Sequence, residues 1–253
     1  MRGLAACEMG LNSGRRAAIA ADAAAPLAAP AATPGERERA ATPCPVNSHN
    51  EWDPLEEIIV GRLEGATIPS NHVSVTFNVP RTLARLHALL GGFRYPRVLT
   101  SAAQQELDAF VHLLEAEGVT VRRPDIVDFA RPYRTPDWGS RGFAVSCPRD
   151  GILVVGNEII ETPMAWRSRY FETFAYRTLF KEYFDRGAKW SAAPKPQLRD
   201  DLYDARFTLP RDGEPIRYVI NELEPVFDAA DFVRCGRDLF VTKSNVTNDG
   251  GIT

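Results

Sequence analysis

The stretch GILVVGNEIIE, residues 151–161, reads as two short apolar runs folded about Gly156 and Asn157. Its β-branched residues suit a pleated surface, and a Gly-Asn pair supplies the backbone freedom that a tight hairpin turn needs. Working outward, WRSRYFETFAYRTLFKEYFDRG (166–187) sets Phe171, Phe174, Ala175 and Leu179 at i, i+3, i+4 and i+8 and closes on Gly187. That spacing predicts one long helix that packs an apolar stripe inward and keeps its charges in water. Arginine interleaved with aromatics also occurs on RNA-binding surfaces; the regular apolar period argues for core packing instead.

The pattern returns downstream. DFVR (231–234), the turn CGRD (235–238) and LFVT (239–242) repeat the hairpin, and SNVTN (244–248) predicts the opening of another helix. Upstream, EWDPLEEIIVG (51–61) gives a turn at Asp53 and Pro54, then a strand through Ile58, Ile59 and Val60. SAAQQELDAFVHLLEAEG (101–118) predicts a helix with Ser101 as N-cap and Gln104 three residues on. Its stripe is Ala103, Leu107, Phe110, Val111 and Leu114, and Gly118 ends it. VTVRR (119–123) is then a strand stopped by Pro124. Repeated units of hairpin, helix and strand predict an α/β fold.

Residues 1–43 differ from this in kind. AADAAAPLAAPAATPGERERAATP (20–43) is rich in Ala and Pro with no aromatic anchor, which predicts a disordered tail ahead of a folded domain over 44–253. A transit peptide fits Arg2, Arg15 and Arg16, but Glu8, Asp22, Glu36 and Glu38 break its acid-poor pattern. The whole chain of 253 residues is 44% hydrophobic and 25% charged with a net charge of −3. This balance suits a soluble globular protein and offers no polyelectrolyte patch for nucleic acid and no membrane span. Cys7, Cys44, Cys147 and Cys235 are scattered, which fits a reducing, cytoplasmic setting. His49, His72, His87 and His112 form no HExxH and no zinc-ligand spacing with cysteine, so no metal is expected.

Two acids carry the chemistry. Asp150 stands just before the first hairpin and Asp228 just before the second, so equivalent points of two units can face one site. Spacing alone leaves a second role open, since Asp is common in turns and caps.

PVNSHNEWDPLEEIIVGR (45–62), VTVRRPD (119–125), TPDW (135–138), CPRDGILVVGNEIIETPMAWRSRYFE (147–172), RGAKWSAAPKP (186–196), EPVFDAADFVRCGRD (224–238) and VTN (246–248) together resemble the amidinotransferases, from Pro45 to Ile252 and in order. The resemblance implies an incomplete five-module α/β propeller of the guanidine-modifying superfamily. It implies transfer of the amidino group of L-arginine to an amine acceptor, glycine first, with an inosamine-phosphate acceptor as the alternative. A non-catalytic guanidino-compound binder and a deiminase-like hydrolase are the rival readings. Asp150 and Asp228 fall where the family binds the guanidinium, and Asp228 also where it handles a proton. A guanidinium is planar, permanently charged and rich in N–H donors, so paired carboxylates suit it.

In this family a cysteine nucleophile and a histidine acid/base complete the reaction without a cofactor, and both lie toward the C-terminus. No histidine follows His112 here, and Cys147 and Cys235 match no family nucleophile and read as small buried residues. The resemblance therefore implies an N-terminal portion of such an enzyme, inactive alone. It further implies small-molecule partners only, a full-length enzyme able to form a homodimer, and a cytoplasmic location with a mitochondrial one left open.

Overall fold

The computed structural model describes residues 44–80 and 82–253. The expected N-terminal tail, its transit-peptide alternative and Cys7 lie outside the described residues.

The first unit pairs β1 (Glu57–Ile59) with β2 (Thr120–Arg122) in parallel, with Ile58 opposite Val121. Parallel strands need a long crossover, here made by α1 (Val73–Thr76), α2 (Ala84–Leu90) and α3 (Arg97–Ala116). Only one side of α3 is covered: Val111 and Leu114 are buried with Val60, and Leu107, Ile58 and Val121 pack beside them. The two other positions of the expected stripe, Ala103 and Phe110, are exposed. The helix also starts earlier than its sequence suggests, directly after Pro96, because proline fixes the backbone angle for the entry. Ser101 is therefore interior, and its hydroxyl donates to the Val98 carbonyl rather than capping. Gly118 adopts φ 84° and ends the helix as expected.

A short ribbon, β3 (Tyr133–Arg134) with β4 (Gly139–Ser140), follows. A single helical turn, α4 (Pro148–Gly151), then leads into the central sheet. There β5 (Ile152–Val155) and β6 (Glu158–Glu161) form the expected hairpin, turning on Gly156 at φ 57°. A crossover through α5 (Arg177–Asp185) brings β7 (Lys189–Ala192) parallel to β6. Leu179, Phe180 and Tyr183 of α5 bury against Ile152, Ile159 and Val145 of the largest core. Large side chains so buried each contribute about 1.5–3 kcal/mol.

The single long helix expected over 166–187 is not formed. Arg167–Arg169 and Glu172–Tyr176 are separate tight 3-10 turns, and only Arg177–Asp185 is α-helical. The cause is the inward turn of two charges expected in water: Arg169 and Glu172 are buried, 6% and 3% exposed. Phe174, expected in the core, is exposed and lies beneath the Arg177 guanidinium at 4.8 Å.

The second hairpin is β8 (Phe232–Cys235) and β9 (Asp238–Val241), with Gly236 at φ 68°. SNVTN does not itself coil; Asn248 caps α6 (Asp249–Ile252) by accepting from the Gly251 N–H. The two hairpins meet at their entry ends, where Leu153, Ala229 and Phe232 share a core. Across their far ends runs residues 48–51, a strap bridging Ser48 to Gly156 and Asn50 to Cys235. Arg234 locks it, donating to Ser48 Oγ at 2.6 Å, the Val154 carbonyl at 2.9 Å and both carboxylate oxygens of Glu51.

Candidate functional site: a pair of carboxylates

Pro148 at the start of α4 commits the chain to one helical turn before β5, and this turn carries Asp150. Asp228 is the N-cap of the turn Ala229–Asp231 that enters β8, its Oδ1 accepting from the Ala230 N–H at 2.9 Å. The cap role that the sequence left open for this residue is thus present. The two turns pack against each other, which brings Asp150 and Asp228 to one place.

Asp228 is held from behind by the VTN segment. Its N–H donates to Thr247 Oγ1 at 3.0 Å, and Asn248 binds Val226 N–H and the carbonyls of Asn221 and Glu224. Asp231 accepts from the hydroxyls of Ser244 and Thr247; it is a buttress of the loop and leaves the cleft to Asp228. Glu224 accepts from the N–H groups of Gln197 and Leu198, at 2.8 and 2.9 Å, and so pins a neighbouring loop. That grip matters because buried Leu198 sits at φ 54°, a strained conformation for a branched side chain. Asp238 is exposed in the hairpin turn.

Arg169 and Glu172 were invisible as site residues in the sequence, where both read as solvated helix charges. Arg169 grips Glu172 through two hydrogen bonds, Nε to Oε2 at 2.5 Å and Nη2 to Oε1 at 2.6 Å, and reaches Asp150 Oδ2 with Nη1 at 2.7 Å. Burial works against its charge, but Glu172 and Asp150 outweigh that and hold the guanidinium protonated above its ordinary range. The only sequence signal was the i, i+3 spacing of opposite charges.

One arginine thus faces three acids at this point. Glu172 consumes it with two bonds, Asp150 takes the third, and Asp228 has no cationic partner among the described residues. Burial, followed by the adjacent Asp150 charge, pushes Asp228 up to about 7, while the Ala230 N–H and Arg169 act the other way and Asp231 adds to the rise. Each acid keeps one carboxylate oxygen without a described partner: Oδ1 of Asp150 and Oδ2 of Asp228. Two carboxylates that each offer one oxygen form a cation site, and a planar fork of N–H donors can bridge them.

Cys147, read as a buried small residue, is exposed, and Cys44 and Cys235 are partly buried; these three thiols are free. A cleft of about 580 Å³ lies apart from the acids and is lined by residues 132–141 with Ser70 and Gly91. No helix among the described residues is long and apolar enough to cross a membrane.

No protein-family model matches the chain. The mitochondrial glycine amidinotransferase of Danio rerio is 47% identical over 247 residues, which is 94% of this chain and 57% of that protein. An amidinotransferase from Microseira wollei in the saxitoxin biosynthetic pathway superimposes with a TM-score of 0.78 at 55% identity, over 83% of this chain and 60% of that one. The inosamine-phosphate amidinotransferase from Streptomyces griseus does so with a TM-score of 0.73 at 42% identity, over 83% and 58%. The chain therefore spans between half and two thirds of the proteins it matches, and sequence and fold together show that it belongs to the amidinotransferase family.

Proposed function

We propose that this chain supplies the guanidinium-binding cleft of an amidinotransferase that takes the amidino group of L-arginine and passes it to an amine, with glycine as the acceptor. The observation that carries the reading is the juxtaposition of Asp150 and Asp228 in a homologue of such enzymes, each with one free oxygen. One oxygen from each acid takes one edge of the guanidinium, fixes its plane and leaves the central carbon open to attack from a face. Asp228 then receives or returns a proton near neutral pH, as its raised affinity for protons suits. Transfer further needs a thiolate nucleophile and a proton donor for the departing ornithine. Glycine is taken as the acceptor on the likeness to the Danio rerio protein, and an inosamine phosphate, the acceptor named for the Streptomyces griseus protein, is the alternative.

The repeated small sheets support a propeller of five such modules in the complete enzyme, which the family reading makes a homodimer. The free thiols support a reducing, cytoplasmic location.

The test separates the guanidinium from the rest of arginine. Isothermal titration with arginine gives saturable binding, whereas citrulline, which replaces the guanidinium by a neutral urea, binds at least tenfold more weakly. Equal affinity for the two would remove the acid pair from the account. With arginine and glycine together, the 253-residue polypeptide should form no guanidinoacetate above background, because no histidine follows His112 and neither Cys147 nor Cys235 matches the nucleophile that the resemblance implies.

A further inference from the structure

A second polar cavity lies around the other end of the 167–169 turn. It measures about 90 Å³ and is lined by Ser70, Asn71, His72, Ser74, Gly139, Ser140, Arg167 and Ser168, with Val75 as its apolar wall. That volume admits several waters or one small polyatomic ion, and is well below what a whole amino acid or nucleotide needs. Its lining holds no carboxylate.

The donors that face this space are left over from the fold. Ser168 is only 4% exposed, yet its hydroxyl has no hydrogen-bond partner, an arrangement that costs about 1–3 kcal/mol unless something fills it. His72 Nδ1 stands 3.3 Å from the Ser74 N and 2.8 Å from the Ser74 Oγ; in the tautomer that accepts from both, Nε2 carries the ring proton and has no partner among the described residues. Arg167 spends Nε and Nη2 on the Leu198 carbonyl and Asp200, leaving Nη1 without a described partner. Both side chains are fixed against Tyr203, the imidazole edge-on at 4.6 Å and the guanidinium over the ring at 5.7 Å. The charged neighbour on the far side, Asp200, is 92% exposed and so only weakly offsets Arg167.

We propose that this cavity binds a small oxyanion, the size of phosphate or of a short carboxylate, through Arg167 Nη1, His72 Nε2 and the Ser168 hydroxyl. One cation and two neutral donors line the cavity, and Asp200, the acid paired with Arg167, is not among the lining residues, which leaves a donor set that an oxyanion takes. The site is independent of the guanidinium cleft and of the reading built on it: Arg167 and Ser168 face one side of the turn, while Arg169 faces Asp150 on the other. Burial, and then the Arg167 charge, hold His72 neutral down to about pH 4, so across the neutral range the imidazole acts as an uncharged N–H donor.

The experiment titrates the full chain separately with inorganic phosphate and with acetate, following the His72 imidazole by NMR. An anion between Arg167 and His72 favours the protonated ring, so the expected result is saturable movement of the His72 resonances at pH 7 with the anion that fits, and, for phosphate, which is still an anion near pH 4, a His72 midpoint raised by at least half a pH unit. Ser168→Ala, which removes one oxygen and no structural contact, weakens that affinity about tenfold, the loss of one hydrogen bond to a charged group. Arg167→Lys abolishes it; if that variant fails to fold through loss of the Leu198 contact, Ser168→Ala decides alone. Saturation by phosphate but not acetate, or the reverse, assigns the oxyanion class. A linear response shared by all salts, no movement of His72, or an unchanged affinity in Ser168→Ala would each overturn the proposal.

Discussion

Asp228→Asn should stabilise the empty protein and abolish its ligand binding at once. Asparagine keeps the N-cap to Ala230, since Asn and Asp cap equally well. What it removes is a carboxylate whose pKa rises from 3.8 to about 7 on folding. A raised carboxylate is bound to its proton more tightly in the folded state, so the wild-type protein is progressively destabilised as pH climbs from 3.8 toward 7, and levels off above that. Three units at about 1.36 kcal/mol each give roughly 4 kcal/mol as the upper bound above pH 8. Urea denaturation of both proteins between pH 4 and pH 8 reads the difference directly. It should be near zero at pH 4, favour Asn throughout, and reach about 2–4 kcal/mol by pH 8. Arginine binding by calorimetry should vanish in the variant at every pH. A stability difference that does not change with pH, or one that favours Asp at pH 8, would show that Asp228 is not the strained acid of this cleft.

The wild-type affinity for arginine should rise about tenfold per unit between pH 5 and pH 7 and flatten above it, because the guanidinium needs Asp228 ionised; calorimetry at four pH values checks this. Arg169→Met leaves Glu172 charged and unpaired in the interior and should cost about 3–5 kcal/mol in chemical denaturation. Asp231→Asn, which alters only the loop buttress to Ser244 and Thr247, should weaken arginine binding by less than tenfold where Asp228→Asn eliminates it. Gly61→Ala should fail to fold or lose several kcal/mol, since its Cβ would stand 2.2 Å from the Val145 carbonyl oxygen; circular dichroism melting decides.

Local signals in the sequence gave the local structure faithfully. The Gly-Asn and Cys-Gly turns, the strand at Ile58 and the stop at Gly118 depend on neighbours a few residues away, and all four stand in the structure. Asp150 and Asp228 stand out together in the sequence because each precedes a hairpin, and the two turns that carry them pack against each other. The long helix was misread for a definite reason. A periodicity argument assigns charges to water, and nothing local reveals that Arg169 has a buried partner on its own segment and another 19 residues back. The grip of Glu224 on Gln197 and of the VTN segment on Asn221, Glu224, Val226 and Asp228 likewise runs to backbone groups 19 to 27 residues distant, which leave no pattern in the side-chain order.

The strap at residues 48–51 has a consequence for how the chain is made. Its partners are Gly156 and Cys235, and the Glu51–Arg234 bond spans 183 residues. On a ribosome adding about 5–20 residues each second, the strap waits roughly 10–40 s for Arg234 to emerge. Through that interval Trp52, Leu55 and the strand that follows have no lock, and the first unit must persist on its own helix packing. The central hairpin can close early from local contacts, but the join between hairpins waits for Arg234 and is then made by a segment that emerged long before it. Substitutions at Arg234 should therefore act chiefly on how tightly the two hairpins are fastened, and leave the earlier steps of assembly untouched.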